Sequence, residues 1–156
     1  MSSGIADIAD SGMSLQTGPS LRSTPEIGEA MQELPRSVFV GFQGGRTPES
    51  VSDVSLSRTP TSVVVAALLG TIEPQPGDRV LEVGTGTGYA AAVLSELVDR
   101  VDTVDLVAAR TDRAAALFHS FGLETIDCHT GDGRSGLADR APFDAILVST
   151  LLDEIP

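Results

Sequence analysis

The sequence contains no lysine, no asparagine and no tryptophan, so every cation other than histidine is an arginine. These ten arginines face 22 acidic residues, which gives a formal net charge of −12 at pH 7. Binding to a nucleic-acid backbone requires clustered cations, and the chain has no such cluster. The composition therefore argues against nucleic acid as a partner.

Cysteines, histidines and long apolar runs are also scarce. Cys128 is the only cysteine, which excludes an internal disulfide, and we expect it to be a core residue of a strand. His119 and His129 are too far apart to predict a metal site. The longest apolar run, residues 63–69, is much shorter than a membrane span, and the first residues lack a signal-peptide pattern. We therefore expect a cytoplasmic protein with no membrane partner.

The length of 156 residues, with 41% hydrophobic and 21% charged residues, is typical of one globular domain. Residues 1–21 are small and polar, which predicts a flexible N-terminal arm before a domain over residues 22–156. A helix is predicted from residue 25 to about residue 34, where Pro35 ends it. Residues 41–60 are rich in Gly, Ser, Thr and Pro, and a loop of that length is usually functional.

From residue 60 onward, strand patterns and helix patterns alternate with short connections. The predicted strands cover residues 79–83, 101–105, 124–128 and 143–149, and the predicted helices cover residues 61–69, 89–98 and 107–121. This alternation is typical of an α/β protein with a doubly wound, Rossmann-like parallel sheet. The right-handed crossover rule predicts the strand order 3-2-1, with the fourth strand on the other side of the first.

The fourth predicted strand indicates that part of the sheet is missing. Its residues 145–148 are apolar on both faces, as interior strands of parallel sheets are. The sequence stops eight residues later, which would leave this interior strand at an open edge. A fragment, a split protein completed by another chain or a decayed relative would each have this sequence. Because an unpaired apolar edge invites pairing, a partner chain or a dimer is one possible cover for it.

A glycine-rich loop follows the first predicted strand in the sequence LEVGTGTGY, residues 81–89. Gly84, Gly86 and Gly88 allow a sharp turn and the close approach of a ligand. A dinucleotide fingerprint has the spacing G-x-G-x-x-G, so a nicotinamide dehydrogenase is disfavoured. The spacing G-x-G-x-G, with Glu82 two residues ahead, is the form found in S-adenosylmethionine-dependent methyltransferases.

Acidic residues follow the second and third predicted strands. A ribose-binding acid is expected at the end of the second strand, where Asp105 lies and where Asp102 and Asp99 are nearby alternatives. The sequence GDG, residues 131–133, follows the third strand, and an aspartate with neighbouring amides suits the edge of an adenine ring. Together with the glycine loop, these residues predict a site for a nucleoside-containing cofactor.

Five blocks in residues 22–156 resemble the protein-L-isoaspartate O-methyltransferase family in order and spacing. They are LPRSVFV (34–40), PGDRVLEVGTGTGYAAAVLSEL (76–97), GDGRSG (131–136), APFDAI (141–146) and EIP (154–156). The first, third and fourth blocks are far more specific to the family than the glycine motif. The resemblance implies a methyltransferase fold and S-adenosylmethionine-dependent methylation of isoaspartyl carboxylates in damaged proteins or peptides, a repair reaction.

The resemblance also implies roles for individual residues. The methionine part of the cofactor would be lined by Gly84, Thr85, Gly86 and Gly88, and Glu82 would support their loop. The ribose would be bound by Asp105, and the adenine by Asp132 with Gly133. Ser57 would help to place the acceptor.

The acceptor region departs from the family pattern. A gapless alignment on Pro60 puts Arg58 at the position of the family's serine, whereas one inserted residue restores Ser57. Arg58 either binds an acceptor carboxylate or is a solvated loop charge.

The family continues past the EIP block with a helix and three more strands, so this chain contains four of seven expected strands. Two hypotheses about function follow from this comparison. The first hypothesis is a carboxyl O-methyltransferase acting on isoaspartyl or aspartyl residues. The second is a truncated, catalytically silent module that binds the cofactor weakly or needs a partner chain.

Overall fold

A computed structural model describes residues 24–41 and 60–150 of the protein. The described elements are α1 (Pro25–Glu33), α2 (Arg36–Gly41), α3 (Ser62–Thr71), β1 (Arg79–Val83), α4 (Tyr89–Ser95), β2 (Arg100–Asp105), α5 (Ala108–Phe121), β3 (Ile126–Thr130) and β4 (Ala145–Val148). Two short 3-10 helices, at residues 133–135 and 138–140, lie between β3 and β4. None of the described helices is both long and apolar enough to cross a membrane. The predicted N-terminal arm lies outside the described residues.

The four strands form one parallel sheet in the order β3-β2-β1-β4, which confirms the predicted order. In the centre of the sheet, Val83 of β1 is in register with Val104 of β2 and with Val148 of β4. Because the strands are parallel, the loops that follow β1, β2 and β3 all leave from the same edge.

The two faces of the sheet are covered differently. Side chains from all five described α-helices pack on one face in a single apolar core, which includes Ile27, Phe39, Leu69, Leu94, Leu117, Val80, Val101 and Leu147. On the other face, the connection from β3 to β4 supplies Leu137 and Phe143 to a smaller cluster around Leu81. Ile146 is 53% exposed on this second face.

Strand β3 begins and ends two residues later than predicted. The prediction was 124–128, whereas the strand covers Ile126–Thr130. The reason lies in the end of α5, where Gly122 adopts a left-handed conformation with φ +68°. The N–H of Leu123 then donates to the carbonyl oxygen of Phe118. Residues 122 and 123 therefore belong to the C-terminal cap of α5, and the strand begins later than expected.

Helix α2 was not predicted, and α3 is longer than predicted. Pro35 does follow the first helix, but its carbonyl oxygen also accepts a hydrogen bond from the N–H of Val38 and so begins α2. In α3, Gly70 lies inside the helix, which ends at Thr71 instead of Leu69. A single glycine inside a helix costs only about 1 kcal/mol, and packing of this apolar helix offsets that cost.

A network of ion pairs fastens the β3–β4 connection to the second face. The side chain of Asp102 is only 1% exposed, and its Oδ1 accepts hydrogen bonds from Nε2 of His129 (2.8 Å) and Nε of Arg140 (3.0 Å). Nη2 of Arg79 lies 4.0 Å from Oδ2 of Asp102 and donates to the carbonyl oxygen of Arg140 at 2.7 Å. This charged cluster therefore joins β1, β2 and β3 to the segment that leads into β4.

The same cluster contains three side chains of metal-ligand type. Ligand atoms of Asp102, Asp127 and His129 lie within 4.8 Å of one another. The guanidinium groups of Arg100 and Arg140 bind Asp127, and the hydrogen bond from Arg100 holds the pKa of Asp127 below its usual value. Because the arginines neutralise both carboxylates, we interpret the cluster as an ion-pair network and assign no metal to it.

The network predicts unequal effects of its arginines on stability. Arg140→Ala leaves the buried Asp102 without its hydrogen-bonded guanidinium group, so we expect the free energy of unfolding to fall by about 2–3 kcal/mol. Arg100→Ala is the matched control, because this arginine pairs with the more exposed Asp127, and we expect a loss of about 1 kcal/mol or less. Urea unfolding of both variants measures the difference, and equal losses would contradict this account of the cluster.

Candidate functional site

Three loops meet at the carboxyl edge of the sheet. The N–H groups of Gly84 and Thr85 both donate to the carbonyl oxygen of Val104, at 2.8 and 3.3 Å. The N–H of Gly131 donates to the carbonyl oxygen of Asp105 at 3.0 Å. The loops after β1 and β3 are therefore both hydrogen-bonded to the end of β2, which brings the predicted cofactor-binding residues of all three loops together.

The three glycines of the loop after β1 differ in what surrounds them. A Cβ atom on Gly84 would lie 2.8 Å from Cβ of Thr150, and one on Gly88 would lie 2.9 Å from Cζ of Phe118. Packing inside the protein therefore requires these two glycines, whatever the loop binds. A Cβ on Gly86 would meet nothing closer than 3.8 Å, although its φ of +53° still favours glycine. The open space at Gly86 is the side from which a ligand can approach.

The GDG loop rests directly on the ends of the central strands. Gly133 is buried, and a Cβ there would collide with the side chain of Val83 and lie 3.2 Å from Cγ1 of Val104. The carboxylate of Asp132 accepts hydrogen bonds from the backbone N–H and the guanidinium group of Arg134, which lowers the pKa of Asp132. The adenine-binding role of this loop stays a prediction, and the Asp132 carboxylate already has a cationic partner.

Asp105 lies beside the open part of the glycine loop. Its side chain is buried, with the residue 7% exposed, and its Oδ2 accepts a hydrogen bond from the N–H of Gly86 at 3.1 Å. Its Oδ1 accepts from the N–H of Val107 at 3.0 Å, and Nη1 of Arg110 is 3.4 Å away. These contacts orient the carboxylate at the edge where the glycine loop is open.

The other two aspartates considered for this role lie elsewhere. Asp102 is three positions before Asp105 on the same strand, so its side chain is on the opposite face, in the charged cluster. Asp99 is exposed and precedes β2, at the end of the strand away from the loops. Of the three candidates, Asp105 is the one at the carboxyl edge.

Glu82 is fully buried beneath the glycine loop, on the helix-covered face of β1. Its Oε2 accepts a hydrogen bond from Oγ1 of Thr103 at 2.7 Å, and this hydroxyl is 2.8 Å from Oγ1 of Thr85. Its Oε1 is 3.4 Å from Oγ of Ser149, which donates to the carbonyl oxygen of Gly84 at 2.8 Å. Burial raises the pKa of Glu82 to about 8, so the carboxyl is mostly protonated at neutral pH.

Thr103 and Ser149 were not singled out by sequence reasoning. Thr103 is in register with Glu82 on the neighbouring strand, and Ser149 follows directly after β4. The sequence did contain a signal for Thr103, because this hydroxyl residue has an inward position in the strand VDTVD. A glutamate buried on the neighbouring strand needs hydrogen-bonding partners, which a hydroxyl group can provide. Recognising it requires the register of β1 against β2, which sequence periodicity does not provide.

Ser57 and Arg58, the two residues considered for the acceptor position, lie outside the described residues. The structure describes the chain again from Pro60, whose carbonyl oxygen accepts a hydrogen bond from Nε of Arg36 at 3.0 Å. The role of Ser57 in placing the acceptor therefore stays a prediction.

The strand order, the glycine loop after β1 and the acid at the end of β2 are those of a Rossmann-like fold, and the similarity to solved structures identifies it as a class I methyltransferase fold. A solved protein-L-isoaspartate O-methyltransferase structure matches 86% of this chain and 46% of its own length, with a TM-score of 0.71 and 26% identity. A precorrin-8w decarboxylase from Methanobacterium thermoautotrophicum matches 58% of this chain and 50% of its own length, with a TM-score of 0.53 and 25% identity.

The family model for protein-L-isoaspartate(D-aspartate) O-methyltransferase matches residues 16–156. The protein-L-isoaspartate O-methyltransferase of Roseiflexus sp. (strain RS-1) is 42% identical over 131 residues, which are 82% of this chain and 60% of that protein. The enzyme of the same name from Roseiflexus castenholzii is 39% identical over 137 residues, or 86% and 63% of the two chains. The chain belongs to the protein-L-isoaspartate O-methyltransferase family, which confirms the resemblance, and it spans about 60% of the length of these relatives.

The buried carboxyl predicts how stability depends on pH. The pKa of Glu82 is about 8 in the folded chain against an ordinary 4.5, so unfolding releases a proton between these values. The contribution of Glu82 to the free energy of unfolding should therefore be greatest below pH 4.5 and fall as the pH rises to about 8, by at most about 1.4 kcal/mol per pH unit. In Glu82→Gln, that contribution should be absent.

Urea unfolding at a series of pH values measures this difference between the wild type and Glu82→Gln. Glu33→Gln, which changes an exposed carboxyl at the end of α1, controls for the loss of one negative charge and should keep the wild-type pH dependence. Parallel pH curves for the wild type and Glu82→Gln would show that the pKa of Glu82 is the same in the folded and the unfolded chain, which would contradict this prediction.

Proposed function

We propose that this chain binds S-adenosylmethionine at the carboxyl edge of its sheet and carries out, or contributes to, methylation of the carboxylate of isoaspartyl or aspartyl residues in proteins or peptides. Members of the family and the neighbouring class I methyltransferases use this cofactor. The observation that supports the proposal most directly is the hydrogen bond between Gly86 and Asp105, which joins the open glycine loop to a buried carboxylate.

The residues at this edge have the chemistry that the cofactor requires. Asp105 presents a carboxylate that can accept hydrogen bonds from two ribose hydroxyls. Leu106 is 71% exposed directly after it, and Val107 is also exposed, so an apolar surface adjoins the carboxylate. The loop around Gly86 leaves room for a small charged group close to the backbone. A carboxylate beside an apolar surface and a glycine loop fits a nucleoside with a polar tail.

The proposed reaction needs alignment more than acid–base chemistry. When bound, S-adenosylmethionine supplies a methyl group on a positively charged sulfur, which an oxygen nucleophile attacks in line. A carboxylate acceptor is already ionised at neutral pH, so no strong general base is required. The protein has to hold the acceptor in line and exclude water. Ser57 is the residue proposed to place the acceptor.

A further part of the proposal concerns the free edge of β4. Within the described residues, β4 pairs with β1 alone, and its Ile146 is half exposed. We propose that an additional polypeptide segment pairs with this edge, as a segment of a partner chain or of a second copy could. If methyl transfer occurs only after such a partner is added, this chain corresponds to the alternative hypothesis, a cofactor-binding module that is catalytically silent on its own.

The assigned roles predict a difference between binding and transfer. Asp105→Ala removes a buried acceptor and should weaken S-adenosylmethionine binding by about 1–3 kcal/mol in calorimetry. Ser57→Ala should leave the dissociation constant unchanged within about twofold, because Ser57 is assigned to the acceptor. Asp99→Ala, which removes an exposed aspartate from the other end of β2, is the control for net charge. Equal affinities for Asp105→Ala and Ser57→Ala would contradict the assignment.

The acceptor is tested with two peptides of the same sequence, one with isoaspartate and one with ordinary aspartate at a single position. Transfer of a labelled methyl group to the isoaspartyl peptide alone is the expected result. Cofactor binding without transfer to either peptide would favour the silent module that needs a partner chain. Transfer to the aspartyl peptide would select ordinary aspartate from the two proposed acceptors.

A further inference from the structure

The polar groups around Glu82 form a continuous path that begins and ends in the glycine loop. The path runs from the hydroxyl of Thr85 to that of Thr103 (2.8 Å) and on to Oε2 of Glu82 (2.7 Å). From Oε1 it continues to the hydroxyl of Ser149 (3.4 Å) and then to the carbonyl oxygen of Gly84 (2.8 Å). Its two ends are consecutive residues of the loop, so the path closes into a circuit.

The number of protons available decides the direction of each hydrogen bond in this circuit. A hydroxyl group donates one proton, and a backbone carbonyl oxygen donates none. The hydroxyl of Ser149 has three acceptors within reach: the carbonyl oxygens of Gly84 (2.8 Å) and Val83 (3.4 Å), and Oε1 of Glu82 (3.4 Å). Its single proton goes to the nearest of them, the carbonyl oxygen of Gly84. Thr103 uses its proton for Oε2 of Glu82, so Thr85 must be the donor to Thr103. The contact between Oε1 of Glu82 and Oγ of Ser149 is then the only one in the circuit without a proton. When Glu82 is protonated on Oε1, this carboxyl group donates to Oγ of Ser149.

The surroundings of Glu82 oppose its ionisation. Among the described residues, no arginine or histidine forms an ion pair with Glu82, whereas the two other buried carboxylates, Asp102 and Asp105, each have a cationic partner. The titratable groups that act on it are Asp105 on β2 and Cys128 on β3, and neither favours a negative charge there. The hydroxyls of Thr103 and Ser149 are its hydrogen-bonding partners. Burial without a cation therefore leaves the carboxyl neutral at neutral pH.

We propose that the proton on Glu82 is part of the cofactor site, and that Thr103 and Ser149 are positioning residues that couple this proton to the shape of the glycine loop. The inference rests on the proposed function, because the loop is taken to bind S-adenosylmethionine. When Glu82 loses its proton, the hydroxyl of Ser149 can donate its hydrogen bond either to Oε1 of Glu82 or to the carbonyl oxygen of Gly84. In the first case the peptide after Gly84 loses its anchor, and in the second a buried negative oxygen has no donor.

The chain offers a variant that carries the proton permanently. In Glu82→Gln, the amide oxygen accepts from Thr103 and the amide N–H donates to Ser149, so the circuit is complete at every pH. If only the protonated form binds, the wild-type dissociation constant for S-adenosylmethionine should rise about tenfold between pH 7 and about pH 9, since the competent fraction falls with the pH. Glu82→Gln should lack this rise.

Isothermal calorimetry of the complete 156-residue chain over this pH range measures both dissociation constants. The amino group of the cofactor also titrates, near pH 8. Its contribution is the same for both proteins, so the ratio of the wild-type constant to the Glu82→Gln constant isolates Glu82. That ratio should increase with pH above about pH 8 and be constant below about pH 6.5.

Thr103→Val tests the coupling itself, because it keeps the side-chain shape and removes only the hydroxyl. Binding should weaken several-fold at neutral pH, and the midpoint of the alkaline loss should move to higher pH. The shift follows because the hydrogen bond from Thr103 lowers the pKa of Glu82. Thr111→Val is the matched control, since Thr111 is another buried threonine whose hydroxyl pairs with that of Thr130 at 2.6 Å. The control should keep the wild-type midpoint.

The outcomes separate this inference from the proposed function. If the wild type does not bind S-adenosylmethionine at any pH, the proposed function and the coupling are both wrong. If it binds, but the wild type and Glu82→Gln share one pH profile, only the coupling is wrong. If Thr103→Val lowers affinity with an unchanged midpoint, Thr103 has a structural role and does not transmit the protonation of Glu82.

Discussion

The glycine loop of this protein depends on one carboxyl group buried in the middle of the sheet. Glu82 on β1 is hydrogen-bonded to Thr103 on β2 and lies next to Ser149 after β4, so its partners come from the two strands that flank β1. A buried polar group without partners costs several kcal/mol, so the partners of this carboxyl have to be in place when the loop forms. The glycine loop therefore depends on the register of strands that are far apart in the sequence.

The two faces of the sheet contribute to the site in different ways. The helix-covered face holds Glu82 and its hydroxyl partners in an apolar core. The opposite face holds the ion pairs of Asp102 and Arg140, which fasten the connection into β4. Since Ser149 follows β4, the charged cluster on one face helps to position a hydroxyl group on the other. A change in the cluster can thus affect the loop without touching any ligand.

The alternation of strands and helices, with the right-handed crossover rule, was sufficient for the strand order, and the spacing of three glycines was sufficient for the glycine loop. The alternatives Asp99 and Asp102 could be separated from Asp105 only when the faces of β2 were known. The partners of Glu82 required the register between strands, and the late start of β3 depended on how α5 ends at Gly122. Sequence periodicity describes single elements, whereas these features arise from contacts between elements.

The central claim is that this chain, which spans about 60% of the length of its relatives, builds a site for S-adenosylmethionine. Titration of the 156-residue chain with S-adenosylmethionine by isothermal calorimetry, with NAD as the comparison ligand, tests it most directly. The account predicts saturable binding of S-adenosylmethionine with one site per chain and no binding of NAD. Binding of NAD, or of neither ligand, would contradict it.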